Sequence, residues 1–144
     1  DRVAQVLRQA GQKDFLIEIG GELLAVGSWQ VGIEDPFNTR AIIAKPVLTD
    51  MALSPSGLYR AKRAAAGKSI SHILSPKTGQ PVEPTIELCC VYHASCFQAD
   101  GWSTALMAVG WKDAQALAER EGLAVMLVGP KGETWKSKAL QALK

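Results

Sequence analysis

Asp100 and Thr104 stand four residues apart in the segment Asp100-Gly-Trp-Ser-Thr-Ala-Leu-Met-Ala-Val-Gly110. On a helix that spacing sets both side chains on one face, about one turn apart. A carboxylate and a hydroxyl offer hard oxygen donors, which suit Mg²⁺ better than zinc or copper. Two structural uses compete with a metal. Asp near a helix start is a cap, and Thr inside a helix bonds back to the preceding turn. The other residues of the segment are small and apolar, as in a buried helix.

A second stretch with chemical potential is Gly67-Lys68-Ser69-Ile70-Ser71-His72-Ile73-Leu74-Ser75-Pro76-Lys77-Thr78-Gly79. His72 precedes a loop stiffened by Pro76 and Gly79, and loops of this kind hold catalytic groups. Imidazole accepts a proton near neutral pH. The alternative is a strand-end histidine bonded to backbone groups. His93, inside an apolar run, reads as structural. No Gly-x-Ser-x-Gly elbow, P-loop or Rossmann fingerprint is present. Ser54-Pro55-Ser56-Gly57 reads as a turn rather than a nucleophile site.

The elements that must position these residues follow from periodicity. Val3, Val6, Leu7 and Ala10 share one face of a helix over 2–10, stopped by Gly11. Phe15–Ile19 alternates as a strand, Gly20-Gly21 breaks it, and Glu22–Val26 resumes an extended run. Further strands are expected over 29–34, 41–44, 47–53, 58–61 and 86–93, with a hairpin connection at 64–68. Helices are expected over 97–109 and 113–120, then a buried strand over 123–128. A turn at 129–132 leads to Thr134-Trp135-Lys136. The fold class is α+β, mainly antiparallel strands with helices packed on the sheet, and the helices fall near the two ends.

At 144 residues the chain has the size of one domain with a real core. A net charge of +2 gives no case for nucleic acid or an anionic membrane surface. Apolar runs are far shorter than a membrane span. Cys89, Cys90 and Cys96 are odd in number, so they make no disulfide framework and read as buried reduced thiols. On a strand, Cys89 and Cys90 point to opposite faces.

The ordered motifs carry a resemblance. They run Ile17-Glu18-Ile19-Gly20-Gly21-Glu22-Leu23, Gly32-Ile33-Glu34-Asp35-Pro36, Ser56-Gly57-x-Tyr59-Arg60, Gly67-Lys68-x-x-Ser71-His72-Ile73 and Pro76-x-Thr78-Gly79-x-Pro81. Asp100-x-x-x-Thr104-Ala105-Leu106 and Gly122-Leu123-Ala124-Val125 complete the series. In order and spacing this resembles the FAD:protein FMN transferases, the ApbE family, across nearly the whole chain. One departure is Ser75, where the family usually has Asp. Serine still caps the turn but carries no charge.

The resemblance implies an Mg²⁺-dependent enzyme that cleaves the pyrophosphate of FAD. FMN passes to a threonine hydroxyl of an acceptor protein, and AMP leaves. It implies Asp100 and Thr104 as Mg²⁺ ligands, His72 as general base for the acceptor threonine, and Leu74 as an FAD contact. It also implies that residues 1–144 are the C-terminal part of the transferase domain, with the N-terminal part absent. The expected place is the periplasmic side of the bacterial inner membrane. Membrane attachment would come only through a lipoprotein anchor in the absent part. The competing expectations are a non-catalytic FAD-binding module and an FAD pyrophosphatase that yields FMN and AMP.

Overall fold

The computed structural model describes residues 1–58, 63–65 and 68–143. Tyr59, Arg60 and Gly67 of the motif series therefore lie outside the described residues. Helix α1 (Arg2–Gln9) leads into the hairpin of β1 (Phe15–Ile19) and β2 (Glu22–Val26). Phe15 pairs with Val26 and Ile19 with Glu22, which leaves Gly20-Gly21 as the two-residue turn. Both glycines have positive φ, 71° and 107°. Tight hairpin turns matched to strand twist need that conformation, and glycine adopts it without steric cost.

Two small antiparallel pairs follow. The first joins β3 (Ser28–Gln30) to β6 (Val47–Thr49), and the second joins β4 (Ile33–Asp35) to β5 (Asn38–Ala44). The single strand expected over 29–34 is thus two, separated at Val31-Gly32. Strand β7 (Ala52–Gly57) then crosses the centre of the molecule, and β8 (Arg63–Ala65) pairs with β9 (Lys68–Ile70). That hairpin agrees with the connection expected at 64–68. Strand β10 (Leu88–His93), helix α2 (Cys96–Val109), helix α3 (Trp111–Arg120), strands β11 (Ala124–Val128) and β12 (Thr134–Lys136), and helix α4 (Lys138–Ala142) complete the chain.

The main sheet has six strands in the order β1-β2-β7-β10-β11-β12, every neighbouring pair antiparallel. Its centre, β10, is buried from Leu88 to Tyr92. One face packs Cys89, Val91, Val125 and Leu127 against Ala99, Leu106 and Met107 of α2 and Ala114 and Ala118 of α3. The other face packs Cys90, Tyr92, Met126 and Val128 against Val31, Ile33 and Leu48 of the small sheets. Cys89 and Cys90 fall on opposite faces, as strand alternation requires. All three cysteines are free thiols.

The strand expected over 47–53 is also divided, between β6 and β7 at Asp50-Met51, and that expected over 58–61 lies outside the described residues after Leu58. Two further expectations fail. The stripe Val3, Val6, Leu7 and Ala10 is not the buried face of α1: Val6 is 61% exposed, and Ala4 is the core residue. The small Ala4 side chain lets the helix lie close to the sheet, and the valines turn outward. Ser54-Pro55-Ser56-Gly57 is no turn; it makes up the last four of the six residues of β7. Leu58 N–H donates to Glu87 O at 3.1 Å. By alternation, Pro55 directs its backbone away from β10. Strand β2 pairs with β7 only at Leu23–Leu53 and Leu24–Ala52, so no partner strand needs the N–H that Pro55 lacks.

Candidate functional site

Helix α2 carries the Asp100–Thr104 pair, and its first turn is fully capped. Ser95 Oγ accepts from Gln98 N–H at 3.4 Å. Asp1 accepts from Cys96 N–H at 2.9 Å and from Phe97 N–H at 3.1 Å. Asp100 therefore lies beyond the cap, in the second turn, and its capping alternative is excluded. The back-bond weighed as the alternative use of Thr104 is made by its neighbour: Ser103 Oγ donates to Asp100 O at 3.0 Å.

The helix is buried on one side only. Ala99, Ser103, Leu106 and Met107 face the sheet, whereas Asp100 and Thr104 are both exposed. The pair thus shares the outer face, one turn apart, as the spacing requires. Its oxygens are the donor chemistry that Mg²⁺ takes. Among the described residues no group of three or more His, Cys, Asp or Glu side chains gathers in a way that could hold a metal ion.

Thr104 connects to the sheet through hydroxyls. Its Oγ1 lies 3.5 Å from Ser56 Oγ, and Ser56 Oγ lies 2.6 Å from Ser103 Oγ. Ser54 Oγ is 3.3 Å from the same Ser103 oxygen. Ser54 and Ser56 share one face of β7 because they are two residues apart on a strand.

Ser56 also lines a cleft of about 650 Å³, together with Glu18, Gly20-Gly21-Glu22, Gly32-Ile33-Glu34 and His72. Four stretches of the motif series, widely separated in sequence, thus meet around one concavity. His72 stands on its wall with an exposed side chain, between buried Ser71 and buried Ile73. Ser71 Oγ accepts from Ile73 N–H at 3.0 Å, a short turn that fixes the bend at His72.

Asp100 lines a neighbouring concavity of about 350 Å³ with Ile17, Ile19, Cys96 and Phe97. Glu22 lines both. Burial is the main cause of the raised Cys96 pKa.

Leu74 forms an isolated bridge with Pro81, and its side chain is 57% exposed. In the loop that follows, Ser75 Oγ accepts from Lys77 N–H at 3.3 Å, and Ser75 O accepts from Gly79 N–H at 2.8 Å. Serine therefore caps this turn, as expected. His93 Nδ1 accepts from Ser95 N–H at 3.0 Å, in agreement with its structural reading.

The structure thus puts His72 and Ser56 on the wall of one cleft, brings Thr104 within 3.5 Å of Ser56, and sets Asp100 one turn along α2. Sequence reasoning missed Ser56, Ser103, Glu22 and Asp1. The period-two spacing of Ser54 and Ser56 was the available signal for the hydroxyl group, and Pro55 between them masked it.

The ApbE family model matches residues 1–127. A FAD:protein FMN transferase of Salmonella typhimurium is 34% identical over 144 residues, which cover 95% of this chain and 41% of that protein. The Haemophilus influenzae protein of the same name is 37% identical over 136 residues, covering 89% of this chain and 39% of that one. In structure, the Pseudomonas stutzeri flavinyl transferase ApbE in its apo form superposes with a TM-score of 0.83 at 36% identity. The match covers 99% of this chain and 47% of that one. An ApbE protein of Thermotoga maritima shares the fold, with a TM-score of 0.88 at 23% identity, over 98% of this chain and 48% of its own. The chain spans less than half the length of these relatives.

Proposed function

The chain belongs to the ApbE family, and on that premise we propose that it serves Mg²⁺-dependent transfer of FMN from FAD to a threonine hydroxyl of an acceptor protein, with release of AMP. Residues 1–144 are read as the C-terminal part of the transferase fold. The observation that carries the proposal is the junction at Ser56. Ser56 lines the same cleft as His72, and its hydroxyl lies 3.5 Å from that of Thr104 on the Asp100 face of α2.

The roles are those that the family resemblance implies, and the chemistry of the residues agrees with them. Asp100 and Thr104 supply two hard oxygens from one helix face, this chain's share of an Mg²⁺ site. When bound, Mg²⁺ neutralises charge on the phosphate oxygens of FAD. His72 accepts the proton of the acceptor threonine as its oxygen bonds to the FMN phosphorus. The P–O bond to AMP breaks, and AMP leaves with the electron pair. The nucleophile belongs to the acceptor, so the protein needs a base and no serine elbow of its own. Leu74 contacts FAD in this reading. Action at the periplasmic side of the inner membrane is part of the same proposal; among the described residues no helix is long and apolar enough to cross a membrane.

The test is an assay of the intact protein with FAD, Mg²⁺ and an acceptor, following both flavinylated product and AMP. Asp100→Ala should abolish transfer, and retained transfer would refute the metal role. Flavin binding without AMP would mark a binding module. Free FMN formed without acceptor would mark a pyrophosphatase.

A further inference from the structure

With the Ser103 proton placed on the Asp100 carbonyl, proton counting assigns one direction to the hydroxyls between β7 and α2. Each serine or threonine hydroxyl has one proton to give and two lone pairs to receive. Ser103 Oγ–H is committed to the carbonyl of Asp100, because a carbonyl oxygen only accepts. Towards Ser56 at 2.6 Å and Ser54 at 3.3 Å, Ser103 is therefore the acceptor. Ser56 spends its own proton on Ser103, so towards Thr104 at 3.5 Å it too is an acceptor. The chain runs Thr104 to Ser56 to Ser103 to Asp100 O, every proton directed inward.

We infer that Ser56 and Ser103 are positioning residues that turn the Thr104 hydroxyl so that its lone pairs face a cation on the Asp100 side of α2. A metal ion takes a hydroxyl through its oxygen lone pairs, and a proton aimed at the ion repels it. The inner members are rigid, since Ser54 and Ser103 are both 0% exposed. The link to Thr104, at 3.5 Å, is the slack one, so the threonine is oriented yet free to adjust its reach. The same Ser103 hydroxyl bonds the main-chain carbonyl of Asp100, the residue that carries the carboxylate of the pair. Groups behind metal ligands act in this way generally, by fixing ligand orientation.

The inference rests on the reading of Thr104 as a cation ligand, so the experiment separates the two. Mn²⁺ binding to the intact protein is followed by electron paramagnetic resonance for the parent and for Ser56→Ala, Ser103→Ala, Ser56→Thr and Thr104→Ala. Thermal melting of each variant reports folding. Ser56→Ala and Ser103→Ala should each weaken Mn²⁺ binding about tenfold. Ser56→Thr, which keeps a hydroxyl at the same carbon, should restore parental affinity. If Ser103→Ala fails to fold, the Ser56 pair decides. Parental Mn²⁺ affinity in Ser56→Ala, with weak binding in Thr104→Ala, overturns the positioning role and leaves the ligand reading intact. Unchanged affinity in Thr104→Ala overturns both. Failure of Ser56→Thr to rescue a folded protein also overturns the inference, because the loss would then not be that of a hydroxyl.

Discussion

Asp1 is a cap for a helix it does not belong to: its Oδ1 accepts from Cys96 N–H at 2.9 Å, across 95 positions of sequence. Its Oδ2 accepts from Phe97 N–H at 3.1 Å and from Ser95 Oγ–H at 2.8 Å. One carboxylate thus serves two orphan donors at the start of α2 and orients the Ser95 hydroxyl that takes a third. The negative charge also opposes the positive end of the helix dipole.

Loss of that carboxylate should be felt as stability. Asp1→Ala should cost about 1–2 kcal/mol, the range for removal of a good N-terminal cap. The measurement is chemical denaturation of the intact protein. Asp1→Asn keeps an acceptor oxygen and should recover part of the loss. A parental midpoint for Asp1→Ala would show that Ser95 and water satisfy the helix start alone.

His72 should separate catalysis from binding. Its side chain is exposed on the cleft wall, and its bend is held by Ser71 and Ile73 rather than by the imidazole itself. His72→Ala should therefore slow flavin transfer by about 10²–10⁴-fold, the usual contribution of a general base. FAD affinity by calorimetry should stay near parental. Parallel loss of FAD binding would make His72 a structural or binding group.

Local signals in the sequence were good guides where structure is local. The run Phe97–Val109, closed by Gly110, marks α2 to within one residue of its observed Cys96–Val109 span. Glycines 20 and 21 mark a turn because only that conformation closes so short a hairpin. What sequence could not show depends on contacts between distant residues. Ser103 meets Ser54 across 49 positions, and no periodicity in either segment announces that pairing. Pro55 spoke for a turn because the open edge beside it exists only once β2 has stopped pairing. The valines of α1 form a sound helical stripe, but periodicity does not say which stripe meets the core. Helix α4, at five residues, is too short to display a period at all.

Ser137 anchors that last helix and deserves its own test. Its side chain is buried, donates to Leu123 O at 2.7 Å and accepts from Val125 N–H at 2.9 Å. It also receives Leu140 N–H at 3.2 Å as the cap of α4. Ser137→Ala leaves a buried N–H and a buried carbonyl without this partner, at a cost of about 1–3 kcal/mol. Hydrogen exchange should rise at Val125 and Leu140 ahead of the other β11 and α4 amides. Unchanged exchange at both would contradict the anchoring role.

The two buried thiols of β10 should make the protein alkali-sensitive. Burial pushes the Cys90 thiol up to about 12, and it raises Cys89 well above its usual 9.0, with the neighbouring Cys90 adding to the effect. The folded state thus holds both as neutral thiols, while the unfolded chain ionises them near pH 9. A group whose pKa is raised on folding contributes its stability below the unfolded value and loses it as pH climbs. Denaturation midpoints should therefore hold level up to about pH 8.5 and fall steadily as pH rises through 9 towards 12. Cys89→Ala/Cys90→Ala should flatten that slope, whatever it does to absolute stability. Alkylation of the native protein at pH 8 should label partly exposed Cys96 first and reach the β10 pair only on unfolding. Rapid native labelling of Cys89 or Cys90, or an unchanged alkaline slope in the double variant, would show that these thiols do not carry the effect.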